Sequence, residues 1–270
     1  MVRRLVAVLC AVALAVVGLA VSVPSAQAVF ATGGTGLYKG SIDWFSWGAA
    51  GTNINVGGTA TQTNTRVIGG KNLSVTCTIS NVANSGLTVI VPNNVSLLST
   101  LYNVGGVSGN TMTIGLLNQN RGGTSSFSFA CSAAYDGTPV ELAGLVMADA
   151  EQMSPAEQTT LTPTGTGAAT APWYLIDRSD LSCGVRATLT TANVLTWTSG
   201  CTGNNDPVPV FFAEGVTAAD VTVSSPQGLQ AIALGVMFEA DLGDAPASYG
   251  QAGALQKSVW TGGGADPRHV

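Results

Sequence analysis

The stretch PVELAGLVMADAE, Pro139 to Glu151, decides the fold class, because it is the longest nearly uncharged apolar run beyond the N-terminal segment. Val140, Leu142, Val146 and Ala148 share one two-residue phase, and Ala143, Leu145 and Met147 share the other. Apolar residues on both phases predict a central strand covered on both sides, since a half-exposed strand would alternate with polar residues. A buried helix fits less well. Pro139 and Gly144 are poor helix residues, and the flanking segments are rich in Thr. At its far end the run delivers Asp149 and Glu151, two residues apart and on one face if the strand continues.

Upstream, Asn72 to Ser80 alternates strictly, with Leu73, Val75, Cys77 and Ile79 on one phase and polar residues on the other, as in a one-sided antiparallel strand. Ser125 to Ala133 repeats the pattern with Phe127, Phe129 and Cys131 inward. Leu87–Val91 and Met112–Leu117 read as short strands between Asn/Gly turns. Further upstream lies LYKGSIDWFSWG, the densest aromatic cluster, which as a strand sets Tyr38, Ile42 and Trp44 against Asp43, Phe45 and Trp47 and fills the core. The Gly/Asn/Thr stretch from Gly48 to Thr65 is expected to be a loop or a pair of short edge strands at the rim of a ligand site.

Downstream, SPAEQTTLTPTGTGAATAP, residues 154–172, reads as a connection over one face. Trp173 to Arg178 is a strand ending in the charge pair Asp177-Arg178, and Gly184 to Ser199 is a hairpin. Pro207–Phe212, Val221–Ser224 and Leu229–Phe238 complete the set of strands. No helical period persists over three turns after the N-terminal segment. Short strands spaced by turns predict an all-β chain, a β-sandwich or jelly roll.

Residues 1–28 read as a secretory signal peptide: Arg3 and Arg4, an apolar stretch from Leu5 to Val21, Pro24, then Ala26-Gln27-Ala28. About 240 residues then remain, enough for one large β domain, and no later span is long enough to cross a membrane. Without Arg3 and Arg4 the balance is 8 basic against 15 acidic residues, which disfavours nucleic acid as a partner. Cys10 leaves with the leader. Cys77, Cys131, Cys183 and Cys201 remain, and an even number in an oxidising compartment predicts two disulfides. A hairpin turning about Ala192 sets Leu189 opposite Leu195, Ala187 opposite Trp197 and Cys183 opposite Cys201, so that Cys77 pairs with Cys131.

The order YKGSIDWFSWG, then FSFACSAAYDGTPVELAGLVMADAEQ, then WYLIDR resembles the second non-repetitive domain of CshA-type fibrillar surface adhesins, over residues 29–239. The tail from Asp241 to Gly250, with Asp266-Pro-Arg-His269 after it, is similar to the opening of the repeat modules that follow such domains, so residues 240–270 are expected to start a second, incomplete module. The resemblance implies a lectin-like β fold and non-catalytic adhesion to a host or environmental glycoprotein, in a secreted chain or at the bacterial cell surface if the chain belongs to a longer anchored protein. It assigns no ligand residues.

Enzyme chemistry fits poorly. The only histidine is His269, and neither HExxH nor a paired CxxC occurs. Glycoside cleavage needs two carboxylates roughly 5 to 10 Å apart across a sugar. Asp149 and Glu151 would need Asp177 or Asp43 as the opposing acid. Calcium is the more physical use of clustered acids outside the cell, with Asp149, Glu151, Asp177 and Asp180 as hard ligands, although no DxDxDG loop occurs. The expected reading is a structural ion pair in which Arg178 or Lys39 neutralises these acids, with no cofactor and calcium as the alternative. Because both apolar strands finish in charges, the ligand surface is expected at that end of the sandwich, formed by Asp149, Glu151, Asp177 and Arg178, with Trp44 and Trp173 as candidate contacts. A sugar-stacking module and a structural stalk segment are the alternatives.

Overall fold

The computed structural model describes residues 26–27, 30–92, 98–103, 114–150, 156–179, 186–198 and 208–237. In chain order the strands are β1 (Ala26–Gln27), β2 (Ile42–Trp44), β3 (Asn53–Ile54), β4 (Ala60–Ile68), β5 (Lys71–Ala83), β6 (Leu87–Ile90), β7 (Gly115–Asn118), β8 (Thr124–Tyr135) and β9 (Thr138–Val140). They continue as β10 (Gly144–Asp149), β11 (Gln158–Thr164), β12 (Trp173–Arg178), β13 (Arg186–Leu189), β14 (Leu195–Thr198), β15 (Pro209–Glu214), β16 (Ala218–Ser224) and β17 (Ala231–Met237). A single helical turn, α1 (Leu98–Leu101), follows β6.

These strands form two sheets. A nine-stranded sheet runs β1-β4-β5-β8-β16-β11-β14-β13 with β9 on β8, and an eight-stranded sheet runs β12-β15-β10-β17-β7-β6-β3 with β2 on β17. Every described pairing is antiparallel except β1 on β4, where Ala26 lies beside Asn64 and Gln27 beside Thr65. The sheets pack face to face over a core that includes Ile79, Phe129, Met147, Trp173, Trp197, Phe211 and Leu234. A second apolar cluster covers the other face of the eight-stranded sheet: Val146, Tyr174 and Phe212 meet Tyr38, Ile42, Trp44, Leu98 and Tyr102. The outer face of the nine-stranded sheet is instead dressed in hydroxyls, which bond across strands between Thr63 and Thr76 at 2.8 Å and between Thr160 and Thr196 at 3.1 Å.

The central strand is where the apolar run predicts it. β10 lies between β15 and β17, fully buried on both faces because both faces of its sheet are covered. The run is nevertheless two strands in two sheets. Pro139 and Val140 belong to β9 and pair with β8, and the chain crosses to the other sheet through Glu141–Ala143. Gly144 makes the crossing possible. Its φ is +153°, and a Cβ there would lie 2.0 Å from the Ala213 carbonyl oxygen.

Three expectations are corrected. The Gly48–Thr65 stretch does hold one short edge strand, β3, but its second strand is most of β4, nine residues long, whose inward phase includes the buried Asn64. The 154–172 connection contains β11, which joins β16 to β14 although its inward positions are only Thr159, Leu161 and Pro163. Pro163 is tolerated because it lies past the last β14 pair, where that edge needs no donor. Finally, Tyr38 is not in strand: residues 37–41 form a turn, and the strand starts at Ile42.

Cys77 and Cys131 are directly opposed on β5 and β8 and form a disulfide. The β13–β14 hairpin has the predicted register, Ala187 opposite Trp197 and Leu189 opposite Leu195. Cys183 and Cys201 lie outside the described residues, as do residues 1–25, 28–29 and 238–270. Among the described residues no helix is long and apolar enough to cross a membrane.

Candidate functional site

At one end of the sandwich the inward phase turns from apolar to polar in several strands at once. Leu116, Met147, Leu161, Val223 and Ile232 all belong to the core between the sheets. Two residues from each, on the same phase, stand Asn118, Asp149, Thr159, Ser225 and Gln230, all buried. Glu157, two residues before Thr159, is also buried, at 3 % exposure.

Hydrogen bonds tie this layer together. The Gln230 backbone N–H donates to Asn118 Oδ1 at 2.6 Å, and Asn118 Nδ2 donates to the Asn120 and Gly123 carbonyls at 2.9 and 3.2 Å. Gln230 Nε2 donates to Asp149 Oδ2 at 3.1 Å and reaches Thr159 Oγ1 at 3.5 Å. Ser225 Oγ donates to Glu157 Oε1 at 2.9 Å and accepts from the Gly228 N–H at 2.9 Å. The turn passes close to the Glu157 carboxylate, and a Cβ at Gly228 would lie 2.6 Å from Glu157 Oε1, so a larger residue there would displace that side chain. The turns 119–123 and 225–230 brace each other through Gly122 N–H to Gly228 O at 3.0 Å and Ser225 N–H to Gly123 O at 3.1 Å. Asn120, Arg121, Pro226 and Gln227 are exposed on these turns and form a rim outside the buried layer.

The residues expected to gather here are brought to one end but not together. Ala148 and Asp177 both pair with Val210 of β15, so β10 and β12 run parallel and end at the same level. A bulge between Leu175 and Asp177 then shifts β12 by one residue. Asp177 therefore faces the second apolar cluster while Asp149 faces the space between the sheets. The Asp177 carboxylate accepts from the Leu37 N–H, the Tyr102 hydroxyl and the Arg178 N–H, each at 2.9 Å. Burial first, and the Asp177 charge second, push the Tyr102 hydroxyl far above its ordinary pKa. This carboxylate ties the turn at residues 37–41 and Tyr102, the residue after α1, to β12, so that residues 30–41 cover this face. Arg178 is half-buried, and Glu151 and Asp180 lie outside the described residues.

Trp44 and Trp173 are fully buried, as are Trp47 and Trp197 in all but 2 % of the former's surface. They are core residues, and no ring among these four offers a face to a sugar, because the aromatic area is spent between the sheets and under the N-terminal cover. Asp43 is buried at 1 % and accepts from Asn64 Nδ2 at 2.8 Å. It pairs with Val236 whereas Asp149 pairs with Ile232, about 13 Å further along β17 at the usual rise per residue. Neither Asp43 nor Asp177 thus faces Asp149 across a sugar-sized gap. Lys39 donates to the Gly34 carbonyl at 2.6 Å. Glu157, Asn118 and Gln230 were not singled out by sequence reading. Their signal is a polar residue on an inward phase next to a strand end.

No curated protein matches the chain in sequence. Among solved structures, the N-terminal domain of the Streptococcus gordonii adhesin Sgo0707 is similar at TM-score 0.40 and 11 % identity, over 78 % of this chain and 62 % of that one. The glucan binding protein C of Streptococcus mutans is similar at TM-score 0.36 and 10 % identity, over 77 % of this chain and 64 % of that one. The chain thus spans less than two thirds of either, and likeness at this level carries no information on ligands. Residues 40–237 match the family described as surface adhesin CshA non-repetitive domain 2, whose extent takes in both sheets from β2 to β17, and the chain belongs to that family of surface adhesin domains.

Proposed function

We propose that this domain is a non-catalytic binder of an extracellular protein or glycoprotein, and that it captures its ligand at the polar end of the sandwich. The observation that carries the reading is the register of β10 against β17. Asp149 pairs with Ile232 at the polar end, and Gly144 pairs with Met237 at the other, where β17 ends. The braced turns with their exposed rim therefore lie opposite the end from which the chain continues. A surface-adhesin family carries an extracellular or cell-surface location, and a binding face opposite the continuing chain is the one presented outward. Buried tryptophans favour recognition by loops over sugar stacking.

The test is an array of glycans and matrix proteins probed with the whole secreted chain, followed by two sets of substitutions. Asn120→Ala, Arg121→Ala and Gln227→Ala together are expected to abolish capture without changing the melting temperature. Glu141→Ala, at the far end, is expected to leave capture intact. Capture that survives the rim substitutions and fails in Glu141→Ala would place the ligand at the wrong end for this reading.

A further inference from the structure

We propose that the segment following Met237, residues 238–242, docks on an apolar overhang of the nine-stranded sheet and so fixes the direction in which the chain leaves this domain. The overhang arises because the two sheets end at different levels. In the eight-stranded sheet β10 and its neighbours β15 and β17 have their ends level, Gly144 pairing with Glu214 on one side and with Met237 on the other. The crossing from β15 to β16 carries that level to the opposite sheet. There the Gly215 N–H donates to the Ala143 carbonyl at 2.7 Å, and the Cys131 N–H donates to the Thr217 carbonyl at 2.8 Å. β8 runs on past Cys131 to Tyr135, about 13 Å further at the usual rise per residue.

The inward phase of the nine-stranded sheet thus continues past the last strands of its partner. By the pairs Arg66–Leu73, Leu73–Tyr135 and Ala133–Val140, that phase carries Ile68, Tyr135 and Val140. Ile68 and Val140 are each 39 % exposed. The two hairpin tips are held together: the Tyr135 hydroxyl donates to the Ile68 carbonyl at 2.9 Å, and Lys71 pairs with Asp136 at 3.3 Å on the rim.

The occupant follows from where β17 ends and from the sequence after it. The Ala143 N–H donates to the Met237 carbonyl at 3.2 Å, so the chain leaves beside a residue three positions from Val140, within roughly 11 Å of it by chain reach. Along β17 both phases are apolar: Ile232, Leu234 and Val236 face the nine-stranded sheet, and Ala231, Ala233 and Met237 face the second cluster. From residue 238 onward only one phase stays apolar, with Phe238, Ala240 and Leu242, while the other turns acidic, with Glu239 and Asp241. That is the pattern of a strand covered on one face. The apolar phase is the one Val236 belongs to, so a chain that keeps the β17 phase turns Phe238, Ala240 and Leu242 toward the overhang and its acids toward solvent.

The test is proteolysis of the whole chain with a glutamyl endopeptidase, reading by mass the release of the fragment that begins at Ala240. A docked segment must open before it is cut, so cleavage after Glu239 is expected at least tenfold more slowly than in a synthetic peptide of residues 234–246. Ile68→Ser with Val140→Ser, both at exposed positions, should restore the peptide rate without changing the melting temperature, and Phe238→Ser should do the same from the other side. If the double variant melts lower, Phe238→Ser decides alone. Wild-type cleavage at the peptide rate, or resistance that survives Phe238→Ser, overturns the proposal. A wild-type dimer that the double variant turns into a monomer in sedimentation also overturns it, and gives the overhang to a second copy.

Discussion

Replacing Asp177 separates a structural clamp from a ligand contact. Its carboxylate is 4 % exposed and accepts three hydrogen bonds, two of them from segments remote in sequence, at Leu37 and Tyr102. Removing a charged acceptor forfeits about 1.5 kcal/mol for each of those two, and the stranded Tyr102 hydroxyl adds about 1–2, giving a loss of about 4–5 kcal/mol for Asp177→Ala. At about 2–4 °C per kcal/mol for a domain of this size, the melting temperature should fall by roughly 8–20 °C. Asp177→Asn keeps one acceptor oxygen and should lose about half as much. Tyr102→Phe should cost about 1–2 kcal/mol alone and, in the Asp177→Ala background, should instead recover about 1–2 kcal/mol, because it removes the hydroxyl that Asp177→Ala strands. The assay is thermal unfolding followed by circular dichroism, run beside ligand capture. An Asp177→Ala protein that melts with wild type and yet captures no ligand would refute the clamp and restore Asp177 to a contact surface.

Gly144→Ala should cost at least about 3 kcal/mol in denaturant unfolding, since the added methyl collides with the Ala213 carbonyl at the crossing between sheets. Breaking the Cys77–Cys131 bridge, which spans 54 residues, should cost about 4 kcal/mol by loop entropy in the Cys77→Ser, Cys131→Ser double variant. Non-reducing peptide mapping should recover a Cys183–Cys201 crosslink, because the hairpin register carried three pairs outward from Arg186 and Thr198 sets those cysteines opposite each other; a Cys77–Cys183 fragment would defeat it. Tyr174, buried and bonded to Glu214, has its pKa pushed up to about 12 by burial first and by that carboxylate second. The folded state therefore holds the phenol proton more tightly than the unfolded state. Its contribution is full below about pH 10 and lost as pH rises toward 12, so Tyr174→Phe should flatten the alkaline fall in unfolding free energy.

The legible parts of this fold are those where one face meets solvent and the other meets the core. Leu73, Val75, Cys77 and Ile79 announce β5 because every second residue is polar, and β10 is legible because nothing polar interrupts it. β11 is hidden for the converse reason. Its inward residues include only one strongly apolar side chain, Leu161, and its Thr and Pro content is that of a loop. Asp149 and Asp177 were rightly assigned to the same end, since both close apolar strands. Their faces were not legible, because a one-residue bulge after Leu175 changes the face without leaving a mark in composition. Glu157 escaped notice because it precedes its strand, where the sequence looks like a turn, and Gln230 because the apolar run Leu229–Phe238 around it reads as core.

The position of β17 has a mechanical consequence. It is an interior strand, held by β10 along its whole length from Ile232 to Met237 on one side and by β7 and β2 in succession on the other. A pull applied between Met237 and the proposed binding rim acts at the two ends of this strand. That load runs along the strand axis, so the ladders on both flanks are sheared together and must break nearly at once, where a strand peeled from an edge would give way one bond at a time.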